Sequence, residues 1–217
     1  MNKTHIKVSL LVFITTVYSS CSFTPVRKIA SQETACDMHV LQECLSDALR
    51  SRSVRGAISV PGNPSGSDKQ IVSHYIDVWA YLINRALRVG DSKFLKKNKS
   101  KLEQLDVGLA NFPVYQGIAY RGSEFPPTIK LEKGLVFEDP AFLSTTLDIA
   151  IAEHYAGVSG YLSVIWSKSG RVLSYDESTA SLSAEKEVLF PRNSRFEILE
   201  VRQEARRSVT VIFLVEQ

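Results

Sequence analysis

The chain is short of the residues that build metal centres. It has three cysteines and four histidines among 217 residues. No Cys/His group falls at ligand spacing, so no metal site is expected. It also has little net charge, +3 at neutral pH with neutral histidines. Its basic residues are dispersed apart from a lysine cluster at residues 93–101. That balance leaves no electrostatic footprint for nucleic acid, and no such partner is expected. There is no internal repeat and no low-complexity tract, which sets repeat architectures aside. The apolar run at residues 8–17 is too short for a comfortable membrane span.

That run does have the length of a signal-peptide core. Lys3 and Lys7 make a basic start, and Ser19, Ser20, Cys21 and Ser22 follow as small residues, so residues 1–22 are read as a secretory signal. Cleavage after Ser19 puts Val17 at the third position back. Alternatively, Cys21 is the lipidated cysteine of a bacterial lipoprotein, although Tyr18 departs from the residue usual before it. The protein is expected to be secreted, or held at the cell envelope through Cys21; membrane contact is expected only in the second case. Export permits disulfides. On one continuous helix Cys36 and Cys44 would stand about 12 Å apart at the helical rise per residue, too far to bridge. A bond needs a break near Met38 or His39; the alternative is two buried thiols.

The length and an ordinary apolar fraction of 44% fit one sizeable domain with an appendage. Residues 34–50 have helical spacing, and residues 51–68 are rich in Ser, Gly and Pro and read as a linker. Residues 69–89 are the strongest helix, with Ile71, Tyr75, Val78, Trp79, Leu82, Ile83 and Leu87 on one broad face and Gly90 as its cap. Residues 92–107 form a second helix, whose lysines are most simply a solvated face. Strand patterns then follow at 114–121, 134–138, 141–146, 160–166, 188–190, 194–202 and 208–216, with a short helix at 148–156. Helices come first and strands later, without regular alternation. The class is therefore α+β rather than a doubly wound parallel sheet.

Three strand-associated sites carry chemistry. In Tyr120-Arg121-Gly122 a strand-end arginine beside a glycine presents a guanidinium fork to phosphate while the backbone comes close to a ligand. In Phe142-Leu143-Ser144-Thr145-Thr146 three hydroxyls in a row are able to orient a carboxylate across the sheet. In Glu185-Lys186-Glu187 two carboxylates point to one face if the chain is extended, which is costly unless something uses them.

In this order and spacing, the three sites resemble the arginine–serine–glutamate class of mono-ADP-ribosyltransferase toxins and effectors. The likeness extends to Tyr75, Tyr81, Asn84 and Leu87-Arg88 on the first helix, to Asp139-Pro140-Ala141-Phe142 before the triplet, and to Leu189, Pro191 and Phe196 after the glutamates. It implies two packed, roughly perpendicular β-sheets with an NAD cleft between them and flanking N-terminal helices. Residues 69–217 would be the catalytic domain, preceded by an extension at 23–68. NAD is implied as substrate, a target protein presenting an arginine as acceptor, and a monomer as the working form.

The resemblance also implies roles. Arg121 would hold NAD phosphate, and the Gly122 backbone the nicotinamide amide. Ser144 would orient Glu187. Glu187 would stabilise the positive charge that develops as nicotinamide leaves, and Glu185 would meet the acceptor guanidinium. Thr145 belongs to the cofactor-binding set, and so does Tyr155, placed against nicotinamide or else in ordinary core packing. His154, beside Tyr155, is read as solvent-facing. Some positions depart from the family pattern. Thr146 replaces a serine, and Leu182 stands where many relatives carry an aromatic, with Tyr175 as a substitute. Val158 and Ser159 stand where a second phosphate-binding arginine is expected, leaving Arg85 or Arg88 to take that place. The rival readings are an NAD glycohydrolase and a non-enzymatic surface binding module on the same fold.

Overall fold

A capping box sets where the helical part begins. Ser65 Oγ accepts the Asp68 N–H at 3.2 Å, and Asp68 Oδ2 accepts the Ser65 N–H at 2.8 Å. Two donors orphaned at a helix start are thereby satisfied. Helix α1 therefore runs from Gly66 to His74, three residues earlier than periodicity alone predicts. The structure, a computed structural model, describes residues 58–60, 62–124, 127, 129–173, 186–204 and 208–217. The leader, Cys21, Cys36, Cys44 and the helix expected at 34–50 lie outside the described residues.

The expected single helix at 69–89 is two helices joined by a wider turn. A π-helical turn at Tyr75–Trp79 leads into α2, Ala80–Val89. A π turn holds one extra residue, so it shifts the buried stripe by one position. Tyr75, Ile83 and Ala86 are buried. Val78 and Leu82, expected on the apolar face, are instead 56% and 51% exposed. Gly90 ends α2 at φ 68°, the left-handed cap that its sequence position predicts.

The helix expected at 92–107 is also two, α3 (Ser92–Lys97) and α4 (Lys99–Ala110). Asn98 makes the break. Its Nδ2 and its backbone N–H both donate to the Phe94 carbonyl, at 2.9 and 3.0 Å. This local side-chain bond competes with helix continuation. The five lysines of this stretch are exposed, and the Lys101 ammonium lies 4.3 Å from the Trp79 ring centroid.

Among the described residues, nine strands form one network: β1 (Ile58–Val60), β2 (Val114–Ser123), β3 (Val136–Asp139), β4 (Leu143–Thr146), β5 (Tyr161–Ser167), β6 (Arg171–Val172), β7 (Glu187–Phe190), β8 (Ser194–Glu204) and β9 (Val209–Glu216). Helix α5 is Ile149–Ala156. The order is β3-β8-β9-β5-β2-β4-β7-β6, with β1 and β6 also on β2. Strand β1 lies inside the stretch read as a linker and pairs Ile58 with Gln116. A three-residue strand is held by its distant partner, so local composition did not reveal it. The same holds for the two-residue β6.

The two sheets expected from the sequence are thus joined. Strand β2 pairs with β5 over seven residues but meets β4 at one pair only, Tyr120 with Thr146. The β3-β8-β9-β5-β2 half and the β4-β7-β6 half are joined there and again where Val114 of β2 pairs with Arg171 of β6. One core cluster is common to both, bringing Ala119, Ile165 and Ile212 against Val188 and Phe190. A second packs the helices under β7 through Tyr75, Leu105, Phe142 and Leu189. A third seats Ala152 of α5 on β2, β5 and β9.

That seating explains Gly122. A Cβ at this position would stand 1.8 Å from the Ala152 carbonyl oxygen and 2.6 Å from the Ala156 nitrogen. Only glycine lets the α5 backbone rest on β2 this closely. Gly122→Ala is expected to lower stability by about 3 kcal/mol through overpacking against a backbone that cannot step aside. Urea unfolding measures this; an unchanged midpoint would mean that α5 is free to shift.

Candidate active site

Antiparallel pairing of β4 with β7 brings the hydroxyl triplet to the second glutamate. Thr146 stands opposite Glu187 and Ser144 opposite Leu189. Ser144 and Thr146 share a face by strand alternation, so Ser144 is the diagonal neighbour of Glu187. Its Oγ donates to Glu187 Oε1 at 2.6 Å. Glu187 is only 5% exposed. A bond of this length fixes the place of a buried carboxylate.

Arg121 comes to the same serine from the other side. Its Nη1 donates to the Ser144 carbonyl at 2.6 Å. The guanidinium thus spans the divergence between β2 and β4, where ladder bonds are absent beyond Tyr120–Thr146. Burial holds the Arg121 pKa below the ordinary arginine value, and the charge of Arg88 lowers it further. Asp139, Tyr75 and Glu187 act in the opposite direction and favour the charged form. Arginine stays protonated through such shifts.

Tyr75 lies within electrostatic reach of Arg121 and Glu187. Its hydroxyl donates to Asn84 Oδ1 at 3.1 Å, and its ring lies 5.2 Å from that of Phe142. Burial is the main cause that pushes its phenol pKa up. The Asn84 bond opposes this, the Glu187 charge adds to it, and Arg88 and Arg121 oppose it. Tyr75 is therefore a neutral donor at physiological pH.

Arg88, Arg121 and Asp139 line a cavity of about 510 Å³ with Ile129, Phe137 and Leu143 among its apolar walls. The two arginines left open by the sequence are placed differently. Arg88 lines the cavity and acts electrostatically on Arg121, whereas Arg85 does neither. Tyr75, Asn84 and Asp139 had no assigned role in the sequence. Their positions along the helix and before the triplet were visible, but their convergence depends on the π turn and on β3.

Three sequence assignments need correction. Thr145 is buried and its hydroxyl donates to the Val188 carbonyl at 2.6 Å. Its side chain lies on the face of β4 opposite Ser144, away from Glu187. Tyr155 is 52% exposed, which excludes the core packing left open as its alternative. The third concerns the glutamate pair. Lys186 adopts φ 46° and precedes β7, so the chain is not extended there and alternation does not aim Glu185. Glu185, Leu182 and Tyr175 lie outside the described residues. Lys186 is anchored on both sides: its carbonyl accepts the Leu147 N–H at 3.0 Å, and its ammonium reaches Asp148 Oδ2 at 3.2 Å. His154 is exposed, as its helix position suggested.

This arrangement of arginine, serine and buried glutamate about a split sheet fits a known group. The family model described as ADP-ribosyltransferase exoenzyme matches residues 46–215, and the chain belongs to that family. A similar protein of Mycobacterium avium (strain 104) carries the name Putative NAD(+)--arginine ADP-ribosyltransferase Mav. It is 29% identical over 161 residues, which is 73% of this chain and 19% of that protein. The chain therefore spans about a fifth of that relative's length. Among solved structures, the ADP-ribosyltransferase Vis in complex with agmatine is similar at a TM-score of 0.57. The match has 20% identity and covers 86% of this chain and 88% of that one. Exoenzyme S from Pseudomonas aeruginosa, in complex with human 14-3-3 protein beta and bound to Carba-NAD, is similar at a TM-score of 0.57. There the identity is 18%, with 81% and 88% covered. At these identities the structures share the fold.

Ser144→Ala is expected to destabilise the protein by about 2 kcal/mol, because it removes a donor from a buried charged acceptor. The loss should shrink by more than half in a Glu187→Gln background. A double-mutant cycle of urea midpoints checks this, and additive losses would count against the Ser144–Glu187 bond.

Proposed function

We propose that this protein transfers ADP-ribose from NAD to an arginine side chain of a target protein and releases nicotinamide. The observation that carries the reading is the hydrogen-bonded line from Arg121 through Ser144 to the buried Glu187. In the reaction, the bond between C1′ of the nicotinamide ribose and the pyridinium nitrogen breaks, and its electron pair leaves with nicotinamide. Positive charge grows on the ribose. Glu187, held by Ser144, stabilises that charge most strongly in the transition state, where rate is gained. Arg121 and Arg88 hold the pyrophosphate at the cavity. A guanidinium nitrogen of the acceptor then bonds to C1′ and gives up a proton to Glu185, which grips the guanidinium as a two-oxygen acceptor.

The name of the Mycobacterium avium relative supports arginine as acceptor. So does the Vis structure, because agmatine carries a guanidinium group. The Carba-NAD bound by exoenzyme S supports NAD as substrate. Residues 1–22, with a basic start and a short apolar run, support export as the setting in which a foreign protein becomes the target.

Transfer of labelled ADP-ribose to agmatine or polyarginine tests the reading. Glu187→Gln should lower both transfer and NAD hydrolysis on the order of a hundredfold or more. Glu185→Gln should abolish transfer and leave hydrolysis. Hydrolysis without transfer in the wild type would favour a glycohydrolase. Folded wild-type protein with neither activity would overturn the enzyme reading.

A further inference from the structure

Asp139 ends β3 and holds Arg88 by a fork. Arg88 Nε donates to Asp139 Oδ1 at 3.2 Å, and Arg88 Nη2 donates to Oδ2 at 2.9 Å. Two parallel bonds fix the plane of a guanidinium as well as its position. They occupy one edge of the group and leave Nη1 outside the fork.

The carboxylate is itself anchored. Its Oδ1 also accepts the Ala141 N–H at 3.0 Å, and the Asp139 carbonyl accepts the Asn193 N–H at 2.8 Å. In the ladder Asp139 stands opposite Ser194 of β8. Arg88 is the opposite case. It is a long, exposed side chain in the last turn of α2. Without a partner such a chain samples many rotamers, and it would also avoid Arg121, because the two like charges face one cavity.

We propose that Asp139 is a positioning residue for the pyrophosphate of NAD: it aims Arg88 into the cavity beside Arg121 and keeps the two guanidiniums together before substrate arrives. This rests on the reading of the cavity as the NAD site. The charge of Asp139 favours charged Arg121 while that of Arg88 opposes it, so the carboxylate offsets the repulsion between the arginines. The pyrophosphate meets Nη1 of Arg88 without breaking the fork. The ordering of Arg88 is complete before binding and does not weaken affinity.

The test uses the 217-residue chain as wild type, Asp139→Asn, Asp139→Glu, Arg88→Lys, and Asp139→Asn with Arg88→Lys. Calorimetry measures affinity for ADP-ribose and for nicotinamide. Asparagine keeps an oxygen for the Ala141 N–H but loses the charge and one acceptor. Asp139→Asn is expected to weaken ADP-ribose about tenfold, in line with the loss of one charge-assisted fork, and to leave nicotinamide unchanged. Asp139→Glu keeps the charge on a longer arm and should lose less. The double variant should bind ADP-ribose no more weakly than Arg88→Lys alone, since Asp139 acts through Arg88.

Unchanged or tighter ADP-ribose binding by Asp139→Asn would overturn the proposal; the tighter result would make Asp139 a competitor for Arg88. Additive losses in the double variant, or an equal loss for nicotinamide, would also overturn it and leave Asp139 a merely structural role. Wild type that binds neither ligand would instead remove the NAD reading beneath it. Should Asp139→Asn fail to fold, Asp139→Glu is compared with wild type for the same two ligands: a loss confined to ADP-ribose supports the proposal, and no loss or an equal loss for both overturns it.

Discussion

Ser144 binds two opposite charges at once. Its hydroxyl donates to Glu187 and its carbonyl accepts from Arg121, both at 2.6 Å. A carboxylate that is 5% exposed and a guanidinium in a partly dry cleft are each costly alone. One residue of β4, reaching β7 with its side chain and β2 with its backbone, makes both tolerable. The rest of the structure serves to hold β2, β4 and β7 in the relation that this bridge needs.

The sheet provides that relation by being incomplete. With full pairing of β2 and β4, backbone bonds would fill the space that the Arg121 side chain now enters. Two isolated bridges, Tyr120–Thr146 and Val114–Arg171, tie the halves. The common core then sets their separation, because Val188 and Phe190 of one half pack with Ile165 and Ile212 of the other. Close packing makes such a separation hard to change. On the outer face, α5 rests on Gly122 with no room for a side chain. The residue after Arg121 is therefore glycine for a packing reason that operates whether or not a ligand uses its backbone.

Charge is arranged in alternation around the cleft. Arg88 is forked to Asp139, Ser144 lies between Arg121 and Glu187, and the neutral phenol of Tyr75 is bonded to Asn84. Arg88 and Arg121 line the cavity together with Asp139, and Glu187 is joined to Arg121 through Ser144.

Much of this was legible in the amino-acid sequence. Arg121, the Ser144 triplet and Glu187 each sit on a strand whose pattern is local. Alternation, glycine punctuation and the order of helices before strands pointed to the α+β class. Gly90, with its positive φ, was legible because helix caps depend on a few adjacent residues. The starting point of α1 was missed, although Ser65 and Asp68 form a capping box, because the stretch around them is rich in loop residues. The π turn at Tyr75–Trp79 was also hidden, since one inserted residue barely alters a hydrophobic pattern while it moves Val78 and Leu82 to solvent. Strand β1, the single β2–β4 bridge, the inward turn of Arg88 and the burial of Thr145 involve partners far along the chain. Register and long-range pairing are set by packing between elements, and no window of neighbouring residues contains that information. The sequence by itself thus determined which chemical groups are present and on which elements they ride. Tertiary structure alone decided that one serine joins the arginine to the glutamate, and which second arginine stands beside the first.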